Sequence, residues 1–595
     1  MIEGEPTWIG ADASAVLAWI HTPEDATSRG IVVVAPPAGR ELMLSELTVR
    51  RLCILLARQG YTAVRFGWRG SKDSQLLSAT DDAVVAWQQD LAAVVEATQG
   101  LLGADDLPVD AIGYRTGAAV VGSVAERFRT VVSWEPLSGQ AFVRQWSRLR
   151  GTVAGHVPAS EGLIDLLGMA LTQEQTDQFS ALPAPRPGDD NGSTPVVEVK
   201  EADRRRAKAM YAVEPFDLRL HDDVFRTVIE ALPGGDPQPV AARLATVREN
   251  TWTDSAGNRL NERIVEIGPE RRIGVVTWRD QEGAPGKFHG AHGVLVSGGG
   301  PDGRVGSGEW PMIARELAAD GIVTLRVDRP LVGDSTPVDA LRATNSYTLR
   351  SALSFRESLD WLRANGCGRV SAALLCASAW AACLGELHDG AAVDAETIVL
   401  VGHSEWKMDQ QLWAEAREFY NADAPRDAPA ASNRAARSEP ALRLPDPTFR
   451  PGLVGLLDRA AWAREVFRVG GVRELKRRAR EAAVVAVRTR MPYVLWRVAG
   501  RLGVMETPER VLEPATRHAR VVVLNGPDDL PRWVETRADR AVERLAAAGR
   551  DITAIASDRL DHSVITATGC RTVLDTLRQQ LVTREAPKRP AAAGS

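Results

Sequence analysis

Two stretches of this chain say the same thing. "RLCILLARQGYTAVRFGWRGSKDS" (51–74) and "MIARELAADGIVTLRVDRPLVGDS" (312–335) align without gaps at Leu56/Leu317, Ala57/Ala318, Gly60/Gly321, Arg65/Arg326, Asp73/Asp334 and Ser74/Ser335. Each reads as an amphipathic helix, a glycine stop, a strand, and a Gly-containing turn ending in Asp-Ser. Each follows an apolar strand and a Gly/Pro loop, "IVVVAPPAGRE" (31–41) and "GVLVSGGGPDG" (293–303). Strands alternating with helices predict parallel βαβ units. Their repetition predicts an α/β fold of two tandem domains from a duplication, each a mostly parallel, doubly wound sheet. A chain of 595 residues is too long for one core and accommodates that division. The expected domains are 1–235 and 250–583, with the boundary in "PGGDPQPVAARLATVREN" (233–250). A polar Pro/Gly loop is expected at 183–194 and a disordered tail at 584–595. The Asp-Ser turns recur in both halves, which marks them as architectural.

Further strands are expected at 263–267, 272–278, 370–375, 397–401, 520–525 and 551–556. The segment 406–518 is then an insert, read as a helical lid. Its basic part, 472–503, is either a solvated helical face or a peripheral contact to an anionic membrane surface or acidic substrate. The net charge of −5 gives no reason to expect nucleic acid as a partner. No apolar run approaches the roughly 18 residues of a membrane span, and the start "MIEGEPTWIG" lacks a signal-peptide pattern. The five cysteines are an odd number without metal-type pairs, so reduced thiols in a cytoplasm are expected, with no metal and no cofactor.

The chemistry is carried by turns. "IGYRTGAAV" (112–120) reads as strand, tight turn and helix, with small residues two before and two after its apex, as in a nucleophile elbow. The apex is Arg115, which cannot attack a carbonyl. From Ser74 to Arg115 is 41 residues, and from Ser335 to Cys376 is also 41, so Cys376 takes the matching place in the second half. Ser378 at its +2 position is tolerable, and Leu374 at −2 fits poorly. Two alternative nucleophiles remain. Ser378 would put Trp380 at +2, where a ring clashes. Ser404, in "VGHSEW", follows the sixth strand rather than the fifth.

These residues resemble the α/β-hydrolase superfamily, and more closely the bacterial hydrolases associated with exosortase systems and exopolysaccharide gene clusters. The resemblance rests on "APPAGREL" (35–42), "RRLCILLARQGYTAVRF" (50–66), "GSKDS" (70–74), "WEPLSGQAFVRQ" (134–145), "RVGSGEWPMIARELAADGIVTLRVDRPLVGDS" (304–335) and "LLCASAWAA" (374–382). It implies an Asp after the Arg-hydrophobic pair of the fourth strand. Asp328 matches, while Gly67 replaces it in the first half, which with Arg115 makes that half a degenerate copy. It also implies the chain order nucleophile, acid, histidine. "VVVLNGPDDLP" supplies Asp529, with Asp528 as the alternate, and "ITAIASDRLDHSV" supplies His562 in a loop after the last strand. His221 is a candidate relic of a first-half histidine. The oxyanion would be held by backbone N–H groups of Ala377 and of Gly298, Gly299 and Gly300. The implied activity is an acyl-ester or thioester hydrolase or acyltransferase acting on a small-molecule acyl substrate. The alternative is a non-catalytic scaffold or ligand-binding protein. Oligomeric state and substrate identity are not readable from the sequence.

Overall fold

The computed structural model describes residues 3–187, 194–212, 218, 220–280, 288–298, 304, 309–330, 332–335, 349–376, 378–379, 381–383, 394–403, 406, 491–502 and 507–581. Its strands form two large mixed sheets. The first holds β1 (Glu5–Ile9), β2 (Val16–His21), β3 (Ile31–Ala35), β4 (Thr62–Phe66), β5 (Val109–Tyr114), β6 (Val131–Trp134) and β7 (Val196–Val199). Their spatial order is β1-β2-β4-β3-β5-β6-β7. The second holds β8 (Glu249–Thr253), β9 (Arg259–Ile267), β10 (Arg272–Arg279), β11 (His292–Ser297), β12 (Val323–Val327), β13 (Arg369–Leu375), β14 (Thr397–Val401), β15 (Arg520–Asn525) and β16 (Ile552–Ala556). Its order is β8-β9-β10-β12-β11-β13-β14-β15-β16. Leaving β8 aside, the second sheet repeats the first sheet's crossover, where the fourth strand lies between the second and third. In both, antiparallel strands on one side give way to parallel pairing from that crossover onward.

The six strands expected in the second half match β9, β10, β13, β14, β15 and β16 to within a few residues. Central strands such as β3, β4 and β11 are buried along their whole length, which is why β3 reads as an unbroken apolar run and β11 has an apolar centre, while β4 carries the buried Arg65. Helices cover both faces. Those that position the sites are α1 (Glu46–Arg58), α2 (Ala83–Leu102), α3 (Thr116–Gly122), α4 (Glu309–Ala319), α5 (Leu349–Ala364) and α6 (Ala567–Leu581). Asp82 caps α2 by accepting from the N–H groups of Val84 and Val85, and Gly103 ends it at φ 63°.

The boundary segment is not a free linker. Gln238–Pro239 pairs with Thr27–Ser28, and the Trp8 N–H donates to Val247 O at 2.8 Å. Residues up to β8 therefore run along the first half. The two halves also exchange partners through the repeated motif itself. Arg65 on β4 reaches Asp334 of the second half at 2.5 Å, and Arg326 on β12 hydrogen bonds to Asp73 of the first. Arg304 lies between them, 2.8 Å from Asp73 and 3.0 Å from Asp334. Meanwhile Ser74 accepts the Leu17 N–H of its own half, and Ser335 accepts that of Ile273 in its own. So each Asp-Ser turn uses its serine inward and its aspartate outward. Burial alone would raise both aspartates, but the surrounding guanidiniums outweigh it and hold Asp73 and Asp334 below the usual carboxylate range. Asp328 belongs to this same seam, accepting from Arg304 and from the Asp334 N–H.

The insert expected at 406–518 changes on inspection. Residues 407–490 and 503–506 lie outside the described residues. Within the remainder, Pro508–His518 buries Val511, Leu512 and Ala515 in the core beside β15, so it flanks the sheet and does not cover a site. The helix Tyr493–Arg501 docks on it through Tyr493 Oη to Glu509 at 3.0 Å and Arg497 to Glu509 at 2.8 Å. The tail expected at 584–595 lies outside the described residues.

Candidate active site

Both turns under suspicion adopt the strained conformation that a strand-to-helix elbow demands. Arg115 follows β5 at φ 55°, and Cys376 follows β13 at φ 48°. Non-glycine residues rarely take a positive φ, so two at matching places mark a shared backbone device. In the first half the approach of strand and helix is close: a Cβ on Gly113 would sit 2.3 Å from Ala118 Cα, and one on Gly117 2.3 Å from Ala35 O. In the second half Leu374 occupies the position of Gly113 and is fully buried in the core that also holds Ala379.

Around Cys376 two side chains converge, His562 and Asp529. His562, in the loop after β16, hydrogen bonds through Nδ1 to Asp529 Oδ1 at 2.6 Å. Hydrogen bonding to Asp529 and to the Cys376 sulfur, against burial, pushes the ring up to about 10. Asp529, in the loop after β15, is itself fixed: its Oδ2 accepts the Gly526 N–H at 3.0 Å. The alternate acid, Asp528, faces away and lies 3.6 Å from His156 of the first half. Cys376 is the one cysteine of the five with partial exposure; Cys53, Cys367, Cys383 and Cys570 are buried, and none is in a disulfide. Burial pushes the Cys53 and Cys367 thiols up to about 12.

Ser378 is placed differently from the nucleophile it was offered as. Its hydroxyl is buried, donates to Gly298 O at 2.5 Å and shares a 3.0 Å hydrogen bond with Ser297. It ties the start of the helix to the loop after β11. Ser404 lies outside the described residues, as do Ala377, Gly299 and Gly300 of the expected oxyanion hole. In the stretch 472–503, residues 472–490 and 503 are likewise outside; the described helix there exposes Val494, Leu495 and Val498, and Leu502 is exposed just past its end. His221 sits at the start of the helix Asp222–Glu230 without capping it. Among the described residues no His/Cys/Asp/Glu group could hold a metal, and no helix is long and apolar enough to cross a membrane.

Three contributors escaped the sequence. Gly402 has φ +58°, and a Cβ there would lie 3.1 Å from His562 O and 3.5 Å from Asp529 Oδ2. The glycine of "VGHSEW", which on motif grounds suggested a nucleophile, is thus the floor beneath the His–Asp pair. His403 is buried and pushed down to about 4 by that burial, and its Nδ1 lies 3.2 Å from Cys376 O, bracing the elbow. Its Nε2 has no hydrogen-bond partner among the described residues, and its ring packs edge-on against Trp406. Third, the first half supports the His562 loop. Gly168 N–H donates to Ile565 O at 2.8 Å, and the Ala567 N–H donates to Asp165 at 3.2 Å. Asp561, beside His562, folds that loop by accepting from Ile565, Thr566 and the Thr566 hydroxyl.

Arg115 is locked. Its guanidinium grips Glu41 with two hydrogen bonds of 2.9 and 3.1 Å, donates to Glu135 O at 3.3 Å, and lies over Tyr211 at 4.0 Å. Both charges are buried, so this is an internal ion pair in the place where a nucleophile would sit.

No family model matches the sequence, and no curated protein matches it. Solved structures similar to parts of it include a serine hydrolase without a lid from Xanthomonas campestris, 20% identical over 22% of this chain and 61% of that chain, with a TM-score of 0.20. They also include dienelactone hydrolase from Anabaena variabilis, 13% identical over 56% of this chain and 96% of that one, at a TM-score of 0.27. A dienelactone hydrolase-like promiscuous phosphotriesterase from metagenomic libraries is 14% identical over 54% and 97%, at 0.28. With TM-scores this low, the reading of the fold rests on strand order and turn geometry.

Proposed function

We propose that this chain is an α/β-hydrolase-like acyl-transfer enzyme, formed by duplication, in which the second half acts through Cys376, His562 and Asp529 and the first half has lost its nucleophile. The observation that carries the reading is one imidazole hydrogen bonded to a buried carboxylate, with a sulfur held at positive φ beside it that also raises the ring. An imidazolium beside sulfur favours the thiolate, the form that attacks. The thiolate adds to the carbonyl carbon of an ester or thioester, and the oxyanion is assigned to the Ala377 N–H and the 298–300 loop. As the tetrahedral intermediate collapses, the bond to the leaving group breaks and His562 gives that group its proton. The ring is then neutral and takes a proton from water or an alcohol, which releases the acyl group and restores the thiol pair. Asp529 orients the ring and stabilises its charge throughout.

The test is iodoacetamide labelling together with turnover of a p-nitrophenyl ester and an acyl thioester. Wild type is expected to label at one cysteine and release product. Cys376→Ala is expected to lose both, by about 10³-fold or more in turnover. Labelling and turnover that survive both Cys376→Ala and His562→Ala would overturn the reading. A stable wild-type protein that neither labels nor turns over would leave the non-catalytic scaffold in its place.

A further inference from the structure

The first half has no nucleophile, yet it keeps a cleft where its active site would be. A cavity of about 840 Å³ opens at the carboxyl ends of β3 and β4, bounded by Ala38–Gly39 and Trp68–Ser71, which follow those strands. Crevices outside the carboxyl ends of parallel strands are where α/β sheets bind ligands, and roughly 300–1,000 Å³ is the usual size of a small-molecule site. The opposite wall comes from the other half, from Met312 on α4 and from the first turns of α6. Residues 158–171 of the first half close the third side.

The lining sorts by chemistry. Leu76, Leu77, Leu163, Met169 and Met312 give an apolar portion, and Leu76 is left 45% exposed there. Arg559 and Arg571 stand together on the α6 side, their segments joined where the Thr572 hydroxyl meets Arg559 O at 3.5 Å. Neither has an ion-pair partner among the described residues. Arg69, in the same lining, is by contrast spent on Asp90 at 2.6 Å and Ala86 O at 2.6 Å. Glu161 and Asp575 also line the cleft. Acids around a single pair of guanidiniums disfavour an extended polyanion and leave room for one anionic group.

We propose that this cleft binds an amphipathic monoanion, with a carboxylate or phosphate head on Arg559 and Arg571 and an alkyl or acyl chain along Leu76, Leu77, Met169 and Met312. Guanidiniums suit either head, because each offers paired oxygens to a planar fork of donors. The elbow of this half presents no nucleophile to the ligand, because Arg115 is closed on Glu41. The first half is on this reading a binding module, and the ligand would touch both halves at once.

Calorimetry on the full chain carrying Cys376→Ala tests it with four probes: decanoate, decyl phosphate, decanol and inorganic phosphate. Saturable binding of at least one alkyl anion is expected, at least about tenfold tighter than decanol and than inorganic phosphate. The tighter of the two anions names the head group. The exposed-site double variant Arg559→Gln/Arg571→Gln is expected to lose about tenfold or more for the anion and to bind decanol unchanged. Leu76→Glu, also on the surface, is expected to weaken the alkyl anion and spare phosphate. Anion binding untouched by the arginine pair, or decanol binding as well as decanoate, would overturn the proposal, whatever the reactivity of Cys376.

Discussion

Arg115 and Cys376 stand at turns of the same shape, at φ 55° and 48°, and what faces each is opposite in kind. Beside Arg115 lie a buried carboxylate, Glu41, and the ring of Tyr211, so the apex is filled and its charge is neutralised. Beside Cys376 lies an imidazole that can take and give a proton, and behind that a carboxylate held by Gly526. The elbow is thus two devices in one. It fastens a central strand to the next helix, and it can present a side chain above the sheet. The first half keeps the fastening, as the tight approach at Gly113 and Gly117 requires. Only the second half surrounds the apex with groups that could use it.

The sharpest way to break this contrast is to disable the acid. In Asp529→Asn the ring loses its strongest partner, and turnover is expected to fall by about 10³–10⁴-fold while the fold persists. The pH behaviour separates positioning from bulk damage. His562 is raised to about 10 in the folded chain from an ordinary value near 6.5. Its partners therefore stabilise the folded state fully below about pH 6.5, and that contribution is lost as pH rises through about 10. In Asp529→Asn the ring is expected to titrate closer to 6.5, read by NMR of its C–H protons. A ring still titrating near 10 in the variant would mean that Asp529 does not hold it.

A second, smaller effect belongs to the first half. Arg115→Ala strands Glu41 in the interior, and breaking a buried pair in this way costs about 3–5 kcal/mol, measurable by urea unfolding. Arg115→Cys is expected to be destabilised similarly and to gain no acyl turnover, because among the described residues no imidazole–carboxylate pair faces that apex. Turnover from Arg115→Cys in a Cys376→Ala background would show that the two elbows differ only in their apex residue.

Much of this contrast was legible before any coordinates. Buried parallel strands read as apolar runs, and the equal spacing from each Asp-Ser turn located Cys376 despite the misfit of Leu374. Asp529 and His562 followed from their places after late strands. The strands β1, β2 and β8, on the antiparallel side of each sheet, went unnoticed. What the sequence could not carry was partnership across the seam. The Asp-Ser turns looked merely architectural, yet Asp73 and Asp334 each bind an arginine of the opposite half, the reciprocal contact that a twofold pair of copies would make. Repeated residues announce a repeated shape, and they do not say whether a repeat pairs with itself or with its twin. The end of the expected lid was open for a related reason: Pro508–His518 lies against the sheet, while residues 407–490 are outside the described residues. Helical periodicity at 508–518 is the same whether a helix caps a site or lies against a sheet.

The smallest expected effect tests whether the first half touches the chemistry at all. Asp165 accepts the N–H of Leu167 in its own loop and of Ala567 just past the His562 loop, and Gly168 donates to Ile565 in that loop. These contacts hold the backbone on which His562 sits, from the half whose elbow carries Arg115. Asp165→Ala removes an acceptor from two backbone donors and is expected to lower kcat about tenfold, or ~1.4 kcal/mol in the barrier, with KM unchanged. Asp165→Asn keeps one carbonyl oxygen and is expected to recover most of that loss. A purely structural role would lower the urea midpoint and leave kcat per folded molecule alone. A fall in kcat rescued by Asn, at constant KM, would instead make the first half a positioning element for the second, one half holding the other's histidine in place.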